Sequence, residues 1–286
     1  MDITKFFEET DALFAAGKYR EAEKLMFSGL EKAESENDQG AVLSICNELG
    51  GLLRAAARFA EGRRVFAKAV SALEILNLSG TEHEATTMLN YATLLAHSGN
   101  PEEALDKYRI AERIYSKTGP ANDYRVAALN NNMASAYIKT LDYEKAGECA
   151  ERALEIIGKI GAYADEIAVT YSLKARISAG LGNYEKALEE LDSAEAVYAR
   201  VENPAPGHRA VTLATYGEIL SRLGRYAEAG EYYEKALLLT EQNFGRNLNY
   251  AAVLRSFAAC KGALGDGDGE KKFIIEADRI EKVSGR

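Results

Sequence analysis

Between Val126 and Ile160 the apolar positions fall into two helical stripes separated by a short polar break. In the first segment Met133, Ala134 and Tyr137 recur at the i, i+1, i+4 spacing of one helix face. Thr140-Leu141-Asp142-Tyr143 interrupts it. Ala146, Ala150, Ala153 and Ile157 then mark a second face, where small side chains let two helices approach closely. The same grammar returns along the chain. A small residue late in each second helix (Gly29, Ala69, Ala111, Ala153, Ala194, Ala236, Ala277) recurs at steps of 40, 42, 42, 41, 42 and 41. A turn marker at Tyr19, Phe59, Pro101, Tyr143, Tyr184 and Tyr226 keeps that register, with Gly17, Gly99, Gly182 and Gly224 two residues before it in four copies. No segment alternates with period two for long enough to predict a strand. A lone helix pair cannot bury its apolar face, so this periodicity predicts about seven stacked pairs, a repeat solenoid.

The second-helix pattern Gly-x-Tyr-x-x-Ala-x-x-x-Tyr-x-x-Ala, present as Gly224, Tyr226, Ala229, Tyr233 and Ala236, resembles the tetratricopeptide repeat. A small residue nine positions before each turn marker (Gly50, Ala92, Ala134, Ala175, Gly217, Ala258) matches the same family. Its usual period is about 34. The longer period here is similar to the subtype of kinesin light chains and of bacterial peptide-sensing regulators. Leu129 to Ala134 is similar to the Leu-Asn-Asn-Leu-Ala signature of that subtype, with Asn130 replacing an apolar residue. HEAT and armadillo arrays share the period but not the Gly-x-Tyr-x-x-Ala turn. The resemblance implies an all-α, right-handed superhelical α-α solenoid. It is expected to run as a single array over residues 1–286, with repeats near 2–38, 41–79, 83–119, 123–160, 164–202, 207–244 and 248–283. The last copy loses its turn tyrosine, as a capping repeat does.

With 47% apolar residues the chain has ample core material, and its net charge of −9 argues against nucleic acid or an anionic membrane as partner. Cys46, Cys149 and Cys260 form neither a C-x-x-C pair nor a disulfide framework, which points to a reducing compartment. The first residues lack a secretory signal, and no run reaches the roughly 18 apolar residues of a membrane span. A cytoplasmic protein is expected. No phosphate loop, nucleophile elbow or H-E-x-x-H pair is present, and His83, His97 and His208 lie far apart. Asp266-x-Asp268-x-Glu270 begins like a calcium loop, but Ala277 stands where the bidentate glutamate is needed, so it reads as a turn. The expectation is a protein without catalytic residues, metal or cofactor.

In the tetratricopeptide family the first helix of each pair lines the concave surface. Carried over, that resemblance nominates the residues 12, 8, 5 and 4 positions before each turn marker. Among them are Asn47, Leu89 and Asn131; Ser135, Arg176 and Glu218; Arg54; and His97, Lys139 and Arg222. Asparagine donates and accepts at once, so Asn47 and Asn131 suit the main chain of an extended peptide; the alternative is that they tie adjacent helices. Arg54, Lys139, Arg176, Arg222 and, from the irregular last copy, Arg255 outnumber Asp11 and Glu218 on these rows. A cleft of one sign favours a ligand of the other, hence an acidic or carboxyl-terminal segment of a protein partner; a solvated face of mixed charge is the bland alternative. Leu89 and Ile138 would add shallow apolar contact, and Phe7 and Phe14 fall on the same rows. The second expected role is a homo-oligomer that associates through the Phe7/Phe14 patch or through Phe273-Ile274-Ile275. A peptide sensor ranks third, because such regulators carry an effector domain for which the chain has no apparent room before its first repeat.

Overall fold

The two-stripe pattern folds as helices along its whole length in the computed structural model, which describes residues 1–118, 123–160, 164–202 and 204–284. Residue 119, the last of the third expected repeat, lies outside the described residues. Among the described residues there are fourteen helices and no strand. The leading helices of the pairs are α1 (Ile3–Ala15), α3 (Gln39–Ala55), α5 (Glu82–His97), α7 (Tyr124–Lys139), α9 (Ala164–Gly180), α11 (Pro206–Arg222) and α13 (Leu248–Ala263). The trailing helices are α2 (Tyr19–Ser35), α4 (Phe59–Ile75), α6 (Pro101–Thr118), α8 (Tyr143–Ile160), α10 (Tyr184–Tyr198), α12 (Tyr226–Phe244) and α14 (Gly267–Ser284).

Local chemistry sets the ends of these helices. Asp2, Asp38, Asp123 and Asn247 each accept a backbone N–H two or three residues on, which caps α1, α3, α7 and α13. Asp266 does the same for α14 by accepting from Gly269 N at 2.9 Å, so the acidic run there acts as a helix start. Leading helices end in a repeated 6→1 turn: Lys18 N donates to Leu13 O, Arg58 N to Leu53 O, Asn100 N to Leu95 O and Arg225 N to Leu220 O, at 2.8 to 3.0 Å. That turn needs a left-handed residue, supplied by Gly17 at φ 71° and Gly224 at φ 74°. Ala57 takes the same conformation at φ 56° without the freedom of glycine, so packing on either side imposes it.

The helices group into two compact units, Met1–Thr140 and Leu141–Arg286. In the first, α1 packs on α2, α3 on α4 and α5 on α6, and each trailing helix then meets the next leading one. The second repeats the scheme with α9 on α10, α11 on α12 and α13 on α14. Beyond these neighbours, α3 touches α5 and α5 touches α7 in the first unit; α9 touches α11 and α11 touches α13 in the second. No two trailing helices come into comparable contact within either unit among the described residues. The leading helices are therefore the more closely spaced layer of each unit.

Small residues make that spacing possible. Ala92, Ala134 and Ala175 of the leading row and Ala69, Ala111, Ala153, Ala194, Ala236 and Ala277 of the trailing row are fully buried. A Cβ at Gly50 would run into the Phe66 ring, and one at Gly217 would stand 2.6 Å from the Tyr233 ring, so these glycines admit an aromatic side chain against backbone. In the second unit Tyr233, Phe257 and Phe273 continue as a ladder of rings with centroids 5.8 and 4.8 Å apart. Phe273 thus belongs to the core side of α14.

Candidate functional site

In the first unit, α3, α5 and α7 bring the nominated residues to one face, though in different states. Asn47 spends both amide protons inside the protein, donating to Leu43 O and to Thr87 Oγ1, each at 3.0 Å. Its carbonyl oxygen accepts from Asn90 Nδ2 at 3.5 Å, so the whole amide is engaged within the protein. Asn131 is only 4% exposed, and its neighbour Asn130 turns back to donate to Val126 O at 2.7 Å. Leu89 and Ser135 are half-buried.

Nearer the C-terminal ends of the same helices sit Arg54, His97 and Lys139. Lys139 bridges α7 to α5 by donating from Nζ to Ala96 O at 2.7 Å. His97 keeps contact with solvent, yet the helices packed around it thin out the water. That desolvation, with Arg54 and Lys139 close by, pushes its imidazole below the usual histidine value. Behind them Tyr108 donates its hydroxyl to Thr93 Oγ1 at 3.2 Å. Burial raises that hydroxyl to about 12, a rise that nearby Arg54 opposes. Arg54 and His97 form no ion pair among the described residues. The face therefore gathers three basic side chains on neighbouring leading helices.

In the second unit, Arg176 of α9 lies near Glu218 of α11, with Arg222 one turn beyond. Burial pulls the Arg176 guanidinium down, while Glu218 and Tyr143 oppose the shift; burial likewise raises the Glu218 carboxyl against Arg176 and Arg222. The two are felt at a distance: no ion pair within 4.0 Å joins them. Several other guanidiniums among the described residues are neutralised, Arg125 by Glu82 and Asp123 and Arg209 by Glu195. Arg255 is among those, taken up by Asp278 and Glu281 of α14 at 2.6 and 2.7 Å. It is spent within its own repeat.

At the N-terminal end, residues off the nominated rows join those on them. Phe7, Asp11 and Phe14 of α1 and Gly51 of α3 share a depression of about 380 Å³ with Glu48 and Leu52 of α3 and Met26 of α2. Glu48 was legible as the residue one helical turn before Gly51. No group of three or more His, Cys, Asp or Glu suited to a metal occurs among the described residues, and none of their helices is long and apolar enough to cross a membrane.

The tetratricopeptide repeat family model matches residues 125–200 and 208–268, and a second model of the same repeat matches residues 85–106, together more than half of the chain. The chain is a tetratricopeptide repeat protein. Over 162 residues, 54% of its length, it is 27% identical to Protein KINESIN LIGHT CHAIN-RELATED 2 of Arabidopsis thaliana, and the match spans about a quarter (24%) of that relative. Its fold is similar to a tetratricopeptide repeat protein from Parabacteroides merdae, with TM-score 0.67, 16% identity, and coverage of 99% of this chain and 96% of that one. It is also similar to a Rap protein complexed with competence and sporulation factor, with TM-score 0.74, 17% identity, and coverage of 99% and 78%. Tetratricopeptide repeat proteins are typically protein–protein interaction modules, generally without catalytic activity.

Proposed function

We propose that this tetratricopeptide repeat protein is a non-catalytic, cytoplasmic scaffold that holds an extended segment of a protein partner against its leading helices and favours acidic or carboxyl-terminal segments. The observation that carries this reading is the cluster of Arg54, His97 and Lys139, where like charges crowd an imidazole that an arriving anion would relieve. Arg176, desolvated and without an ion pair, gives the second unit a cation of the same kind. Leu89 and Ser135 would flank the bound segment, with Glu218 and Arg222 setting the local charge around Arg176. Asn47 and Asn131 would contribute chiefly by fixing the helices that carry these groups. A structural neighbour solved with a bound factor supports a ligand-holding role for this fold. The buried thiols of Cys46, raised to about 12, and Cys260 suit a reducing compartment.

Fluorescence anisotropy with labelled octapeptides, one rich in Glu and one rich in Lys, tests the reading. The acidic peptide should bind at least tenfold tighter, and Arg54→Glu with Lys139→Glu should remove the preference. Equal binding of both peptides to the wild type would end the claim.

A second reading, self-association, is favoured by one observation. Ile275 and Val283 of α14 are 67% and 71% exposed on a stretch that also carries Lys272 and Arg279. Light scattering that shows a monomer at the highest soluble concentration would remove it.

A further inference from the structure

The leading helices are not evenly spaced. α3 touches α5 and α5 touches α7, whereas α1 and α3 make no comparable contact, and the depression between them is where the layer opens. Its apolar lining comes from Phe7 and Phe14 of α1, Leu52 of α3, and Met26 of α2 beneath. Phe7 and Phe14 are each half-buried, held edge-on by Phe6 at 5.4 Å and tilted against Tyr19 at 6.2 Å. Such rings keep one face for packing inward and one for a visitor.

Charge selects the visitor. Asp11 and Glu48 stand exposed beside the depression, and neither forms an ion pair or side-chain hydrogen bond among the described residues. Gly51 leaves space between them: a Cβ built there meets nothing within 4 Å. One helical turn further along α3 comes Arg54, the start of the cationic cluster, so a single face changes sign within the first unit.

We infer that the first unit recognises a bipolar peptide: a large apolar side chain flanked by basic residues in the α1/α3 depression, joined to acidic groups lying along Arg54, His97 and Lys139. This rests on the reading above for its acidic half and adds the anchor, the opposite charge beside it and the order in which they occur. Packed helices lie about 8–10 Å apart, so the two subsites are separated by roughly 15–25 Å. An extended chain spans that with about five to seven residues. The anchor supplies apolar burial and the flanking cations meet Asp11 and Glu48, while the sign change along the face excludes uniformly charged segments.

The experiment uses the full chain and three labelled peptides: Lys-Phe-Lys and Glu-Glu-Glu joined by five Ser/Gly residues, made in both chain directions; the same with Lys-Phe-Lys replaced by Ser; and the same with Glu-Glu-Glu replaced by Ser. The bipolar peptide in its better direction should bind about tenfold tighter than the acidic one, equivalent to about 1.4 kcal/mol. Gly51→Leu, which fills the depression where the backbone has room, should erase that gain and leave the acidic peptide unaffected. Asp11→Lys with Glu48→Lys should do the same, and it serves if the leucine variant folds poorly. Equal affinity of the bipolar and acidic peptides on the wild type, or a gain that survives both variants, overturns the inference. An acidic peptide that fails to bind while the basic one binds in a Gly51→Leu-sensitive way would instead overturn the earlier reading and keep the anchor site.

Discussion

Through His97, pH reaches the cationic face. Desolvation and two neighbouring cations hold its folded pKa below the unfolded value near 6.5, so the unfolded chain binds the proton more readily. Stability therefore falls as pH drops through the window beneath 6.5, where the folded imidazole resists protonation. A bound anion acts the other way and raises that pKa, so affinity for an acidic peptide should increase several-fold between pH 7.5 and 5.5. In His97→Gln the increase should vanish; a wild-type affinity that is flat across this range would show that His97 does not meet the ligand. An NMR titration should place the imidazole below 6.5 and move it upward in Arg54→Ala. The positions of Arg54, His97 and Lys139 were legible because the helical period puts equivalent residues of successive repeats in one row. The fate of Asn47 was not. Its partner Thr87 lies one repeat away, and which of several polar neighbours it chooses depends on rotamers that no spacing rule specifies.

At the scale of single helices and turns, Gly50 and Gly51 make a controlled comparison within α3. Alanine at either gains up to about 1 kcal/mol of helix propensity. At Gly50 the new methyl would overlap Phe66, and overpacking of about 1–3 kcal/mol outweighs that gain. Gly51→Ala meets open space. Urea denaturation should thus show Gly50→Ala destabilised by about 1 kcal/mol and Gly51→Ala stabilised by several tenths; the same sign for both would mean that the close approach of α3 and α4 is wrong. Ala57 offers the reverse exchange. Its left-handed conformation costs about 1–2 kcal/mol, part of which glycine would return in lost unfolded-state restriction, so Ala57→Gly should stabilise by about 0.5 kcal/mol. Helix pairs, turns and the buried small rows were readable as a period because each records one contact repeated in every copy. The basic row in contrast mixes groups with different fates: Arg255, placed on it by spacing, is consumed by Asp278 and Glu281.

Over the whole molecule, a net charge of −9 works against the acidic ligand that the leading helices favour. Far charges are screened as the Debye length shrinks from about 30 Å at 0.01 M salt to about 8 Å at 0.15 M, whereas contacts within the face persist. The association rate of an acidic peptide should accordingly change by less than about threefold over that range in stopped-flow measurements. A steep fall would mean that the basic cluster dominates the long-range field. By itself the sequence determined the repeat, its all-helical character and its family, because these depend on local periodicity and on small residues that every copy must place at the same contact. Only the tertiary structure decided which polar side chains are spent inside, which cations keep their charge unpaired, and where the leading helices part to leave room beside Phe7 and Phe14. Those outcomes are set by distances between residues some forty positions apart, and a difference of one ångström in helix spacing separates a filled contact from an open one.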